Sequence, residues 1–149
     1  NLPFAAHTFN LGPYVRCLLH RDSLNWPRGI CPVIVFGDFD HTTSGQFIMV
    51  EPKVVLELQH GDVFVFLSSL LTHGNAPLRE GEERMSWTCW MAGGLMRWIA
   101  AGHQLVNQLT TRAQQSKYAA KVEEWRKKGR DSLLTFKDLC ARVGESVES

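Results

Sequence analysis

The chain has 149 residues, 44% of them apolar, and a formal net charge of +1 at pH 7. This length supports one domain with a well-buried core and is too short for two domains that each bury a sizeable core. The apolar runs fall short of the roughly 20 uninterrupted residues that a membrane-spanning helix needs, so we expect no membrane association. Because the chain begins at Asn1 rather than at a methionine, we expect a piece of a longer protein or a chain that works with a second one.

Residues 4–91 predict a strand-rich core. The apolar residues come in short β-branched or aromatic runs, most of them bounded by Gly, Pro, Asn or Asp, as is typical of a sandwich or barrel of short strands. The runs are HTFNLG, YVRCLL, CPVIVFGDF, QFIMVE, KVVLELQ, DVFVFLSSLLTH and RMSWTCWMAG.

After Gly94 the spacing of the apolar residues becomes helical, which predicts a helical tail that stops at Gly129. The apolar positions of this helix are Leu105, Leu109, Tyr118, Val122 and Trp125. A shorter helix should follow, capped by Asp131 or Ser132. Its apolar positions are Leu134, Leu139 and Val143.

Positive charge is concentrated in residues 112–130, which carry seven basic and two acidic residues, a net charge of +5 by subtraction. A solvated helix face is the favoured interpretation of this segment, and a surface for a polyanion is the alternative. The four cysteines form no C-x-x-C pair, which favours reduced thiols in an intracellular protein. They are Cys17, Cys31, Cys89 and Cys140.

The stretch from Leu18 to Gly45 contains H-R-D and D-F-D, which invites comparison with a protein kinase. The kinase catalytic loop needs an Asn five positions after its Asp, but Pro27 stands there. Only nineteen residues precede His20, which leaves no room for the glycine-rich loop, strand Lys and helix Glu of a nucleotide-binding lobe. We therefore reject the kinase hypothesis.

H-x-D predicts a metal site instead. Residues i and i+2 of an extended segment point to the same side, so His20 and Asp22 can converge on one ion. A 2-His-1-carboxylate triad needs a second His from a distant strand and leaves open positions on Fe(II). His73 is the candidate because it ends the run DVFVFLSSLLTH. The other histidines lie in less suitable positions, namely His7, His41, His60 and His103.

Eleven residues after His73, Arg84 and Ser86 again stand at i and i+2. A guanidinium can pair with a carboxylate through two hydrogen bonds, and a hydroxyl adds another donor. This pair could anchor one end of 2-oxoglutarate while the keto-acid end binds iron. Each element is weak alone, but the order H-x-D, His, R-x-S in a strand-rich chain favours a metal site over coincidence.

Residues 4–99 resemble the basidiomycete-fungal branch of the TET/JBP Fe(II)/2-oxoglutarate dioxygenases, which oxidise methylated bases in DNA. The likeness is strongest in H-R-D-x-x-N, G-D-F, T-H-x-N, G-E-x-R-x-S and G-G-L-x-R-W. The resemblance implies a β-rich α+β fold with a double-stranded β-helix (jelly-roll, cupin-like) core in residues 1–99. Residues 100–149 would then form C-terminal supporting helices packed on that core in one domain. It also implies His20, Asp22 and His73 as iron ligands and catalytic residues, with Arg84 and Ser86 on 2-oxoglutarate.

Two base-contacting residues are also implied by the resemblance. Trp90 occupies the position of an aromatic that stacks on the flipped base, although ordinary core packing is an equal alternative. Asn25 stands where the family can place a group that contacts the base edge. Ala92 replaces the His that related enzymes use on 5-methylcytosine, which leaves N6-methyladenine or another base open.

Three functions remain open from the sequence. The favoured one is oxidation of the methyl group of a DNA base, 5-methylcytosine or N6-methyladenine, with Fe(II), 2-oxoglutarate and O2. This function implies DNA as a partner and a nuclear location. The second is hydroxylation of a protein side chain or a small molecule by the same iron chemistry. The third, a non-catalytic binding module, is disfavoured because the ligand set is intact.

Overall fold

The computed structural model describes residues 3–144, which form seven strands, three α-helices and a short 3-10 helix at Val106–Gln108. The strands are β1 (Ala6–Asn10), β2 (Cys31–Asp38), β3 (Phe47–Met49), β4 (Val54–Leu56), β5 (Val63–Phe66), β6 (His73–Asn75) and β7 (Glu83–Trp90). The helices are α1 (Gly93–Ala100), α2 (Arg112–Asp131) and α3 (Phe136–Val143). The predicted β-rich α+β class is thus confirmed.

The chain divides into two compact units, one extending to Arg97 and the other starting at Trp98. The first unit contains two antiparallel sheets. One has four strands in the order β1-β7-β2-β5, and the other has three in the order β4-β3-β6. Strands β6 and β7 of these sheets carry His73, Arg84, Ser86 and Trp90, whereas His20, Asp22 and Asn25 lie in the segment between β1 and β2.

Alternation of side chains along β2 builds the core of the first unit. Val33 and Val35 are buried, whereas the residues between them are only partly covered, as expected for a strand with one face inward. Residues of both sheets meet in one apolar cluster, so the sheets share a core. Its buried members are Cys31, Val33, Val35, Phe47, Met49 and Phe66.

Two strand predictions were wrong. The run YVRCLL forms no strand, and only Tyr14 makes a single bridge, to Arg84. The run DVFVFLSSLLTH breaks into β5 and β6, because the backbone N–H groups of Leu70 and Leu71 both donate to the carbonyl of Leu67 and close a turn. The turn carries no Gly or Pro, and its one sequence signal is the pair Ser68 and Ser69 within the apolar run.

The helix boundaries also differ from prediction. The helix α2 continues through Gly129 to Asp131, so Gly129 is not its end. The cap of α3 is Thr135, which accepts from the backbone N–H of Asp138, rather than Asp131 or Ser132. Of the predicted apolar positions, Leu109 is buried but Leu105 is exposed. Within residues 3–144 no helix combines the length and apolar character needed to cross a membrane.

Candidate metal centre and its cavity

His20 and His73 form an isolated antiparallel bridge that joins two distant parts of the chain. The backbone N–H of each donates to the carbonyl of the other, both at 2.9 Å. Asp22 is held nearby, because its backbone N–H donates to the carbonyl of Ser68 at 3.1 Å. The first ligand segment is therefore an extended piece of backbone beside β6, as the H-x-D interpretation allowed.

The bridge brings the side chains of His20, Asp22 and His73 together. One potential ligand atom from each residue lies within 4.8 Å of the others. His20 Nε2 is 3.4 Å from Asp22 Oδ1, and His73 Nε2 is 4.0 Å from Asp22 Oδ2. Two imidazole nitrogens and a carboxylate at this separation can bind one divalent ion.

Both imidazole rings are oriented by the backbone in the same way. His20 Nδ1 lies 2.7 Å from the carbonyl oxygen of Leu18, and His73 Nδ1 lies 2.9 Å from that of Leu71. Because a carbonyl only accepts, each Nδ1 carries the proton and each Nε2 presents its lone pair toward Asp22. Burial lowers the pKa of His73 from its ordinary value, which keeps this imidazole neutral at pH 7.

Arg84 is a buried cation that forms no ion pair with an Asp or Glu among residues 3–144. It lies on β7 with 2% of its surface exposed, and its Nε has no hydrogen-bond partner among the described residues. Burial lowers the pKa of this guanidinium, and the one opposing influence comes from Cys17. Burying a charge without a counter-ion costs free energy. A bound anion next to Arg84 would reduce that cost.

Gly37 allows the strand that carries Arg84 to approach β2. The two residues are paired in the sheet, and Gly37 has a φ of +128°. A Cβ at Gly37 would lie 2.0 Å from the carbonyl oxygen of Glu83, so only glycine fits.

Ser86 lies two residues from Arg84 on the same buried side of β7. Its Oγ accepts a hydrogen bond from Asn10 Nδ2 at 3.0 Å. As the acceptor in that bond, the hydroxyl keeps its own proton free to donate.

All seven nominated residues line one cavity of about 400 Å³. Asn25 Nδ2 donates to Asp22 Oδ2 at 3.3 Å and to Ser68 Oγ at 3.2 Å. The side-chain oxygen of Asn25 takes no part in these two bonds. Trp90 is partly buried and also packs against the apolar core, so both interpretations of this residue remain. The nominated residues are His20, Asp22, Asn25, His73, Arg84, Ser86 and Trp90.

The cavity also contains polar residues that the sequence analysis missed. Thr8 and Asn10 on β1 pair with Thr88 and Ser86 on β7, so four polar side chains line the same wall. Their signal was the alternation of polar residues at i and i+2 in both strands. Cys17 lines the cavity as well, and burial raises the pKa of its thiol, so it stays protonated at pH 7.

The basic helix α2 pairs both of its glutamates with basic residues of the same helix. Glu123 and Glu124 form ion pairs with four of the seven basic residues of this segment. The pairs are Lys121 and Lys128 with Glu124, and Arg126 and Arg130 with Glu123. Three of these pairs are the i,i+3 and i,i+4 contacts typical of a solvated helix face. The pairs leave the net charge of +5 unchanged, so both interpretations of the segment remain.

No protein-family model matches the chain, and no curated protein matches it. A solved structure of NgTET1 in complex with 5mC DNA is similar, with 21% sequence identity and a TM-score of 0.46. The alignment covers 50% of this chain and 27% of that chain.

Proposed function

We propose that the chain contains the catalytic core of an Fe(II)/2-oxoglutarate-dependent dioxygenase that oxidises the methyl group of a methylated DNA base. The observation that carries this proposal is the convergence of His20, Asp22 and His73 in the same cavity as the uncompensated Arg84. A metal triad alone suits many reactions. A metal triad beside a buried arginine can bind a co-substrate that chelates the metal at one end and carries a carboxylate at the other.

The donor set fits Fe(II). Two imidazoles and one carboxylate leave further coordination positions for a co-substrate and oxygen, which distinguishes such sites from closed structural zinc sites. His20 and His73 are already in the tautomer that binds metal through Nε2. Asn25 would hold Asp22 by its amide while that carboxylate binds the ion.

The anion receptor fits 2-oxoglutarate. Arg84 would pair with the distal carboxylate through two hydrogen bonds, and Ser86 would donate a third. Binding would offset a buried positive charge whose Nε has no hydrogen-bond partner in the described part of the chain. Bound iron with 2-oxoglutarate and O2 supplies the oxidant that replaces a methyl hydrogen with a hydroxyl group.

The fold assignment within this proposal is a double-stranded β-helix formed by residues 1–99. Residues 100–149 would be its C-terminal helical extension. Two antiparallel sheets with a shared apolar core and a cavity lined from both sheets support the assignment. In such an architecture the metal ligands come from strand ends, as His73 does at the start of β6.

A flipped base is the proposed substrate because the cavity combines an aromatic ring with a polar acceptor. Trp90 offers a π face, and the carbonyl of Asn25 is available because both protons of its amide are engaged by Asp22 and Ser68. That carbonyl could accept from the amino group of either cytosine or adenine. Ala92, which bridges to Asn25, adds no polar atom that would choose between them.

The test is a reaction with duplex DNA that carries either 5-methylcytosine or N6-methyladenine, after anaerobic loading with Fe(II) and 2-oxoglutarate. Mass spectrometry of the nucleosides should show hydroxymethylcytosine or loss of the N6-methyl group. His20→Ala and Arg84→Ala should abolish the product, whereas His60→Ala, in an exposed turn, should not.

Two outcomes would contradict the proposal in different ways. Production of succinate without a change in either base would move the substrate to a protein side chain or a small molecule. Absence of both succinate and base products from the metal-loaded protein would refute the oxygenase itself.

A further inference from the structure

We propose that Arg21, Glu51 and Thr72 form a clamp that positions the two backbone segments carrying the metal ligands. The clamp lies next to the triad in the chain, since Arg21 separates His20 from Asp22 and Thr72 precedes His73. It rests on the proposed function, because its role is to prepare the site for metal.

The three side chains close a ring of hydrogen bonds. Glu51 Oε1 accepts from Arg21 Nη2 at 2.5 Å and from Thr72 Oγ1 at 2.7 Å, while Oε2 accepts from the backbone N–H of Thr72 at 2.7 Å. Arg21 Nε then donates to Thr72 Oγ1 at 2.9 Å. Each residue therefore contacts both of the others, and one carboxylate connects the two ligand segments.

The alternation of side chains along an extended backbone explains why Arg21 can reach Glu51 and Thr72. His20 and Asp22 point into the cavity, so the residue between them points away from it. Arg21 is accordingly more than half exposed and reaches Glu51 on the outer side of the segment. Arg21, the middle residue of H-R-D, is not a metal ligand. Its side chain forms the clamp instead.

Glu51 is presented by a tightly turned hairpin. Met49 on β3 pairs with His73 on β6, and the backbone N–H of Val50 donates to the carbonyl of Thr72 at 2.9 Å. The turn continues with a bond from the N–H of Lys53 to the carbonyl of Val50, and Lys53 adopts a left-handed φ of +56°. The hairpin therefore delivers the carboxylate of Glu51 directly beside the second ligand segment.

A clamp of this kind should act on metal affinity more than on global stability. Exposed ion pairs contribute little to the free energy of unfolding. Without the clamp, however, the two segments would be ordered only when the metal arrives, and binding would bear that entropic cost. Loss of outer partners of a metal site typically weakens binding about 10- to 100-fold, and we expect the low end here because the clamp does not touch the ligands themselves.

The experiment titrates Co(II), an air-stable probe with a visible spectrum, into the wild type and into Glu51→Gln, Thr72→Val and the double variant. We expect about tenfold weaker Co(II) binding in each single variant and no further loss in the double variant, because the clamp acts as a unit. Glu57→Gln is the matched control, since Glu57 is an exposed acidic residue outside the clamp. Thermal unfolding of the metal-free variants is measured in parallel.

Unchanged Co(II) affinity in both single variants would overturn the clamp. The clamp would also be overturned if the variants lose affinity because their metal-free form is already unfolded at the titration temperature. If the wild type binds no Co(II), the proposed metal site itself fails and the clamp fails with it. If the wild type binds Co(II) and the clamp variants bind it about tenfold more weakly, the clamp stands even where no DNA base is modified, and the failure then lies in the proposed reaction or its substrate.

Discussion

Asn75 holds both backbone polar groups of Cys17. Its Oδ1 accepts from the N–H of Cys17 at 2.7 Å, and its own backbone N–H donates to the Cys17 carbonyl at 3.0 Å. The side-chain amide also donates to the carbonyls of Val15 and Ala76 at 3.3 and 2.9 Å. A segment that forms no strand is thereby fastened to β6, immediately before it supplies His20.

Replacing Asn75 by alanine should destabilise the protein. The N–H of Cys17 would lose its acceptor in a partly buried place, which typically costs about 1–3 kcal/mol. Urea unfolding monitored by tryptophan fluorescence would measure the change in the free energy of unfolding. Asn107→Ala, at an exposed position, should leave that free energy within about 0.5 kcal/mol of the wild type. Equal stability of the two variants would contradict the role given to Asn75.

Gly74 should not tolerate a methyl group. A Cβ there would lie 2.7 Å from the carbonyl oxygen of Cys17, and a backbone atom cannot move aside as a flexible side chain can. We expect Gly74→Ala to lower the free energy of unfolding by about 1–3 kcal/mol. Gly94→Ala is the control, because its Cβ would meet nothing closer than Arg97 Nη2 at 3.8 Å. A Gly74 variant as stable as the control would show that the segment of Cys17 can shift.

Replacing Arg84 by methionine should abolish the binding of 2-oxoglutarate without destabilising the protein. The substitution removes a buried charge that has no acidic partner, so the melting temperature of the ligand-free protein should rise. The increase in melting temperature that 2-oxoglutarate produces in the metal-loaded wild type should disappear. Thermal scans with and without 2-oxoglutarate measure both effects, with Arg16→Met at an exposed arginine as control. A retained response to 2-oxoglutarate would exclude Arg84 as its anchor.

Asp40 should contribute stability that is lost in acid. Hydrogen bonds from the hydroxyls of Thr42 and Thr43 and from the backbone N–H of Thr42 lower the pKa of this carboxyl to about 2. Because the folded-state pKa lies below the ordinary value of 3.8, the contribution is complete above that value and falls as the pH drops toward 2. The difference in unfolding free energy between wild type and Asp40→Asn should therefore be constant from pH 7 to 5 and shrink at pH 3. A difference independent of pH would refute this assignment.

The sequence predicted the composition of the candidate site better than its architecture. His20 and Asp22, like Arg84 and Ser86, are related by i and i+2 spacing, which forces side chains to one side of any extended backbone. That rule holds even though His20 and Asp22 lie outside a regular strand. The chemical roles of these residues stay predictions that the experiments above test.

Other features depend on contacts that local patterns cannot reveal. Asn10 contacts Ser86 across 76 positions of sequence, and Glu51 meets Arg21 across 30. The strand predicted for YVRCLL failed because Asn75 satisfies the backbone of Cys17 that a neighbouring strand would otherwise pair. Gly129 failed as a helix end because the hydrogen bonds of α2 continue past it to Ser132.

The proton on each Nδ1 of His20 and His73 has a consequence for metal selection. Both rings present Nε2 before any ion arrives, so the pocket offers the same nitrogen donors to every divalent transition metal. Copper, nickel and zinc bind such donors more tightly than iron does, so supply rather than affinity would decide which metal occupies the site. Protein purified in air should therefore carry a competing metal, and its history of exposure to zinc or nickel would govern how much of a preparation responds to added iron.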